Sequence, residues 1–212
     1  MFINHRVKRI LYENLNWIVL SLLFFIFGIV ASLLTFGGGN NFILELTETQ
    51  QKLLEEMARI IFSGSPVTGI FILFLNNFFA SLQIVFFGII LGIPTLLSLF
   101  ANGAILGGVA ANLGEGGASG LAFLAIGILP HGIFELPAFL TSAAFGLKIG
   151  FHLVFPLPRK KRWESLGIIW KEFFAIFPLI LLMLVIAAIV EVLVTPRLIQ
   201  LIFNNMQNIQ LY

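Results

Sequence analysis

The chain has 212 residues, of which 59% are hydrophobic and 10% are charged, and its mean hydropathy is +1.04. In soluble domains about a quarter of all residues are charged. This composition therefore excludes a soluble globular protein and indicates a polytopic membrane protein. Each spanning helix needs about 20 apolar residues, which leaves room for about five or six spans. We therefore predict an all-α transmembrane helical bundle in a single membrane domain, residues 1–212.

Several function classes are excluded by residues that the chain lacks. All acidic residues are Glu, so a DxD-type metal or phosphate site is excluded, and the absence of Cys excludes disulfides and thiolate ligands. The glycine-rich stretches lack the Gly-Lys-Ser/Thr end of a phosphate loop. The net charge of +2 comes from basic residues in short loops, which does not describe a nucleic-acid binder. We predict no nucleic-acid partner, no enzymatic activity and no cofactor.

The first three spans are separated by glycine and proline. Basic residues precede an apolar run at 17–36 that exceeds the roughly 7–15 residues of a signal-peptide core, so we predict an uncleaved first span. The second span is predicted at 67–93 and the third at 95–112, with Pro94 marking the turn between them.

Residues 42–62, between the first two spans, show a different periodicity. Apolar side chains recur at helical spacing, and glutamates, one lysine and one arginine occupy the other side. This pattern is typical of an amphipathic helix on a membrane face or a partner, and its acidic character favours the outer face. The predicted partner surface consists of Leu46, Leu53, Met57 and Ile61.

The fourth span is predicted at 119–155 and the fifth at 173–194. The stretch 119–155 is too long for one straight span, and Pro130, Gly132 and Pro137 lie inside it, so we predict a broken span that crosses once. A six-crossing alternative divides it into two spans of about 18 residues. The proline-bounded pieces do not divide cleanly in that way.

Two basic segments determine the predicted orientation. Arg6, Lys8 and Arg9 lie in segment 1–16, and a second cluster, 159–162, lies in segment 156–172. Basic loops are retained in the cytoplasm, so we predict a cell-membrane protein with a cytoplasmic amino terminus and an extracytoplasmic carboxyl terminus. The outer side then holds 37–66 and 113–118.

Polar side chains inside the apolar runs are the candidate site. His131 and Glu135 stand four residues apart, on one face of a regular helix, and an ionisable group at bilayer depth costs several kcal/mol unless it is partnered. We expect these two side chains to pair, and Lys148 to reach toward the inner membrane face. The predicted intramembrane polar network consists of His131, Glu135, Asn76, Asn77, Asn102 and Glu191.

Three interpretations of this network remain open. The first is structural, with asparagines satisfying carbonyls exposed by the prolines. The second is an ion, proton or lipid pathway, because discontinuous spans with polar side chains recur in transporters. The third is a metal site built from His131, Glu135 and either His152 or Glu191, although the zincin motif H-E-x-x-H is absent, and we do not predict a metal.

Several short motifs together resemble the stage II sporulation protein M family of bacterial and archaeal integral membrane proteins. The most specific is Pro130-His131-Gly132-x-x-Glu135-x-Pro137-Ala138, and the resemblance covers most of the chain. The other matching elements are Asn76-Asn77, Asn102-Gly103 followed by Gly107, Ala188-Ile189-Val190-Glu191 and Thr195-Pro196.

The resemblance implies a membrane complex with a peptidoglycan hydrolase and a membrane-anchored partner, which thins septal peptidoglycan and drives engulfment during sporulation. Within such a complex the M protein is a scaffold or recruiter without catalysis of its own. The family also occurs outside spore formers. We therefore expect a non-enzymatic scaffold for cell-envelope remodelling, in contact with lipids, other envelope or sporulation membrane proteins and possible copies of itself. The alternatives are a transporter or channel-like protein and, third, an intramembrane hydrolase.

Overall fold

The computed structural model describes residues 5–35, 64–114 and 117–201. For residues 113 and 117–124 it describes the backbone alone. The predicted amphipathic helix 42–62 lies outside the described residues. The helices are α1 (His5–Glu13), α2 (Leu15–Thr35), α3 (Pro66–Phe87), α4 (Ile93–Gly114), α5 (Gly117–Val154) and α6 (Arg162–Ile189). A π-helical turn, Val190–Val194, follows α6, and the chain stays helical to Leu201.

Five of these helices are long and apolar enough to cross a membrane, which confirms the all-α, five-span architecture. The first three spans are close to the predicted ranges, except that α3 ends at Phe87 and a turn follows before α4. Pro94 lies in the first turn of α4, where a missing backbone N–H leaves no hydrogen bond unmade. The turn before α4 contains Leu91 and Gly92 at positive φ, 55° and 72°.

The predicted break in the fourth span is wrong, because α5 is one continuous helix through Pro130, Gly132 and Pro137. Each proline removes one backbone donor and conflicts with the carbonyl four residues earlier. Within a membrane bundle, neighbouring helices offset this cost, and α5 packs against α2, α3, α4 and α6. In its membrane-crossing stretch 61% of the residues are buried, against 22–33% in the other four helices.

The last span is longer than predicted at both ends. It begins at Arg162, where the Glu164 carboxylate accepts a hydrogen bond of 2.9 Å from the backbone N–H of Lys161. At the other end Pro196 does not stop the helix. The N–H of Thr195 donates to the carbonyl of Val190, five residues earlier, and this wider turn makes room for the proline ring that a regular α-helix would crowd.

Helices α2 and α4 run parallel and pack backbone against backbone. A Cβ added at Gly28 would overlap the carbonyl oxygen of Phe100, and one at Gly103 would overlap that of Phe25. A Cβ at Gly107 would lie 2.6 Å from the carbonyl oxygen of Ile29. Gly103 and Gly107 form the G-x-x-x-G spacing that lets helices approach closely in lipid.

A second close contact joins the α3–α4 turn to α5. A Cβ at Gly146 would lie 2.5 Å from the carbonyl oxygen of Ile84, and one at Gly150 would overlap the backbone of Gly92. The buried Thr95 hydroxyl also donates to the carbonyl of Ile84, at 2.9 Å. This contact fixes α3 and α4 against the last third of α5.

Both basic segments lie at one end of the bundle, called the basic end below. The buried Lys148 ammonium near the end of α5 donates to Asn14 Oδ1 at 2.7 Å and to the Glu172 carboxylate, and Asn14 Nδ2 donates to the carbonyl of Ile10 at 2.8 Å. These bonds join the α1–α2 junction to α5 and α6. Lys148 lies at the basic end, but it is 8% exposed, and its side chain is bonded to Asn14 and Glu172 instead of extending to the membrane face.

Replacing Gly103 with Ala should lower stability by about 1–3 kcal/mol, because the new methyl group pushes α2 and α4 apart. Gly167→Ala is the matched control, since a Cβ there has no neighbour within 4 Å, and alanine favours a helix over glycine. Thermal unfolding in detergent measures both variants. Equal unfolding temperatures for the two variants would contradict the close α2–α4 packing.

The topology prediction is testable with single cysteines, because the native chain has none. A cysteine at position 160 (Lys160→Cys) should resist a membrane-impermeant thiol reagent in intact cells and react after lysis. Glu115→Cys, between α4 and α5, should react in intact cells. Labelling of position 160 from outside would reverse the predicted orientation.

Candidate functional site

A cavity of about 670 Å³, lined mostly by apolar side chains with a few polar ones, lies between α2, α3, α4, α5 and the π-helical turn. Asn77 and Asn102 approach it from the middle of α3 and α4, whereas His131 and Glu135 lie in the half of α5 away from the basic end. The cavity wall includes all six residues of the predicted polar network, namely His131, Glu135, Asn76, Asn77, Asn102 and Glu191.

Three ionisable side chains form the centre of the site, and we call them the HEE cluster: His131, Glu135 and Glu191. One nitrogen or carboxylate oxygen from each lies within 4.8 Å of those of the other two. The Nε2 atom of His131 is 3.8 Å from Oε2 of Glu191, and these side chains are 14% and 25% exposed. The described residues record no hydrogen bond between His131 and Glu135, so the expected direct pairing is wrong and Glu191 is the ion-pair partner.

Local helix geometry explains how these three side chains meet. His131 and Glu135 are one turn apart on α5, which places both on the same face. Glu191 belongs to the π-helical turn, which packs against α3 and α5. A π-helical turn rotates its side chains away from the directions that a regular α-helix of about 3.6 residues per turn would give them. Glu191 therefore meets the α5 face at this point.

The three asparagines differ in their surroundings. Asn102 is exposed within the chain and donates to the carbonyl of Ser98 on its own helix, at 2.8 Å. Asn76 is also exposed and donates to Oδ1 of Asn77 at 3.3 Å. Asn77 is buried at 8% exposure. The asparagines line the cavity without any described hydrogen bond to the carbonyls near Pro130 and Pro137.

Some buried polar atoms at the site have no hydrogen-bond partner among the described residues. They include Nδ2 of Asn77 and Nδ1 of His131, and Oγ1 of Thr195 close by in the chain. Buried polar groups are normally paired, so each exception calls for an explanation. Two polar atoms of the cavity lining, Nδ2 of Asn77 and Nδ1 of His131, are therefore left without a hydrogen bond to the described residues.

His152 does not belong to the HEE cluster. It lies 21 residues after His131 on α5, which at 1.5 Å per residue corresponds to roughly 30 Å. Its Nδ1 atom lies 2.8 Å from the carbonyl oxygen of Phe155, and its ring packs against Trp17 and Phe151. Of the two predicted third ligands, the structure brings Glu191 to the pair and leaves His152 at the basic end.

A second polar cluster, in which Lys148 binds Asn14 and Glu172, was not predicted. A signal was present, because Lys148 interrupts a long apolar run and Glu172 has the opposite charge. Their side chains are 10% and 22% exposed and form an ion pair. This cluster joins helices at the basic end and has no contact with the cavity wall as described.

One comparison with known proteins identifies a family. The family model for stage II sporulation protein M matches residues 21–196. A protein of Methanocaldococcus jannaschii, named an uncharacterized protein, is 33% identical over 107 residues, which make up 50% of this chain and 60% of that protein. The matched region is thus less than two thirds of that relative. No solved structure matches the chain.

A double-mutant cycle tests the contact between His131 and Glu191. In chelator-treated protein, His131→Ala should lower stability by about 1–3 kcal/mol because it leaves a buried carboxylate without its partner. The variants His131→Ala and Glu191→Ala should couple by about 0.5–3 kcal/mol, as residues in contact do.

Unfolding of the single and double variants in detergent measures this coupling. The control pair is His131 with Glu164, at the start of α6, whose effects should add within about 0.5 kcal/mol. Additive effects for His131 and Glu191 would show that the contact contributes nothing.

Proposed function

Because the chain belongs to the stage II sporulation protein M family, we propose that it is a non-enzymatic membrane scaffold that recruits partners for remodelling of the cell envelope, as in thinning of the sporulation septum. The observation that carries this proposal is the extent of the family match. It runs from α2 to the π-helical turn and so includes all five membrane-crossing helices. The family relationship therefore concerns the whole bundle.

The surface of the bundle supports a role in assembly. Only α5 is mostly buried, and the other helices present large apolar side chains outward, such as Phe27 at 60%, Leu34 at 79% and Phe174 at 61% exposure. In a bilayer these side chains contact lipid or the helices of another membrane protein. The proposed partners are lipids, other envelope or sporulation membrane proteins and further copies of this chain.

The orientation of the bundle connects this surface to the cell envelope. With the basic end in the cytoplasm, residues 36–63 between α2 and α3 lie on the outer side, where peptidoglycan is. The pattern of residues 42–62 predicts an amphipathic helix there, with Leu53 and Met57 on its apolar face. In this proposal that face binds the recruited partner.

A transporter or channel-like function is the second candidate, and the ionisable side chains of the cavity favour it. Ionisable side chains at membrane depth mark many ion and proton pathways, and π-helical turns occur frequently at functional sites. Neutralising Glu135 distinguishes the two functions. If the variant still folds, it keeps its partners under either function. Only a transporter also loses flux across the membrane.

The scaffold proposal is tested by the double variant Leu53→Glu and Met57→Glu. It should abolish or strongly reduce co-purification of the envelope partners from the native host while the five helices remain inserted. The reason is the loss of apolar burial, about 1.5–3 kcal/mol for each side chain. The matched control is Lys52→Gln with Arg59→Gln, which makes the same change in net charge on the opposite side of the helix.

The measurement is affinity purification from gently solubilised membranes, with quantification of a peptidoglycan hydrolase and of its membrane-anchored partner. Normal recovery is expected for the control variant. Unchanged recovery of both proteins with the glutamate variant would reject the apolar face as the recruiting surface. Equal loss with both variants would attribute recruitment to net charge.

A further inference from the structure

We propose that the HEE cluster is a binding site for one divalent transition-metal ion of the zinc type, coordinated by Nε2 of His131 and by the carboxylates of Glu135 and Glu191. This inference concerns the cavity and does not depend on the scaffold proposal. Three features of the cavity support it: the distances between the ligand atoms, the balance of charge and an unpartnered buried amide.

The distances fit an ion after small side-chain movements. Zinc binds histidine nitrogen and carboxylate oxygen at about 2.0–2.2 Å in tetrahedral geometry, which places the ligand atoms about 3.3–3.6 Å from one another. In the structure the three candidate atoms lie within 4.8 Å of one another, and the His131–Glu191 separation is 3.8 Å. Small side-chain rotations, which move the ligand atoms by about 1–2 Å, close this difference.

The ligands also come from rigid parts of the fold. Two of them stand one turn apart on α5, and the third lies on the π-helical turn that packs against α5. Metal sites in helical bundles are commonly built in this way, from carboxylates and histidines that project inward from facing helices. The metal interpretation left open by the sequence named His131 and Glu135 with either His152 or Glu191 as the third ligand, and the structure brings Glu191 to the other two.

The charge balance of the cavity favours a cation. The cavity wall described here includes two glutamates and one histidine but no lysine and no arginine. Two ionised carboxylates in a largely apolar setting repel each other and are costly without a compensating positive charge. One divalent cation between them removes both penalties.

The second observation is Asn77, which lines the same cavity. This residue is 8% exposed and its side chain faces the Glu135 carboxylate, and Nδ2 has no acceptor at hydrogen-bond distance and angle among the described residues. Three protein ligands leave an open position on a tetrahedral ion, which water commonly fills. A water held there gives the Asn77 amide the hydrogen-bond acceptor that it lacks.

The ligand types identify the class of metal. One imidazole nitrogen with carboxylate oxygens, and no thiolate in the whole chain, suits zinc and also manganese and iron. Calcium takes six to eight oxygen ligands, more than this cluster supplies. Zinc and cobalt are therefore the probes of choice.

The experiment uses the full chain, purified in detergent without a polyhistidine tag. Metal content is measured by mass spectrometry, and the chelator-treated protein is then titrated with Zn²⁺ against a fluorescent chelator and with Co²⁺ by visible absorption. We expect about one equivalent of metal per chain. His131→Ala and Glu191→Gln should weaken binding by more than the roughly 100-fold that loss of an outer-shell partner causes.

Two further variants make the test specific. His152→Ala is the matched control and should bind metal as the parent does, because that side chain lies at the basic end. Glu135→Gln keeps the shape of the side chain and removes one of two repelling charges, so the metal-free protein should be at least as stable as the parent while zinc binding weakens. Its zinc affinity should therefore fall without a fall in the unfolding temperature of the metal-free protein.

Each result supports or overturns the proposal. Saturable binding of one ion that is lost in Glu135→Gln and Glu191→Gln and kept in His152→Ala supports it, even if His131→Ala fails to fold. Absence of a saturable site for both ions in the parent overturns it. Binding that all variants share, or that His152→Ala also loses, assigns the metal elsewhere and overturns it as well.

Discussion

The fold depends on the close approach of helix backbones at glycine. In lipid, apolar side chains gain little by leaving the bilayer, so helices associate through close packing and hydrogen bonds. Gly28 and Gly103 bring α2 against α4, and Gly146 and Gly150 bring α5 against the turn between α3 and α4. These contacts fix the helices at two places. The cavity is lined next to the first of them, by Phe25 of α2 and by Asn102 and Leu106 of α4.

Most of the architecture could be predicted from the sequence, because bilayer thickness acts on each apolar run separately. All five membrane-crossing helices were predicted. The continuity of α5 through Pro130 and Pro137 could not be predicted. The cost of a proline is local, whereas the packing on several sides of α5 that offsets it belongs to the tertiary structure. The same holds at Pro196, where a change of helix type accommodates the ring.

The membership of the site was more predictable than its pairing. His131, Glu135 and Glu191 stand out because each is an ionisable residue in an apolar run, and a residue of that kind at membrane depth needs a partner. Spacing along one helix suggested that His131 binds Glu135. The structure instead places Glu191 next to His131, a contact between distant parts of the chain that depends on the π-helical turn. The partnership of Lys148 with Glu172 was missed for the same reason, since no local pattern shows which helices are neighbours.

The two polar clusters of the bundle differ in a way that bears on function. At the basic end one lysine meets one glutamate, and Asn14 binds both, so that charges and hydrogen bonds are balanced within the protein. In the cavity two glutamates share a single histidine, and the buried amide of Asn77 keeps an unused donor. A cluster that serves only to join helices is most stable when it is balanced, as the first one is. The imbalance of the second cluster is a cost to the isolated bundle, and a bound cation with its water removes it.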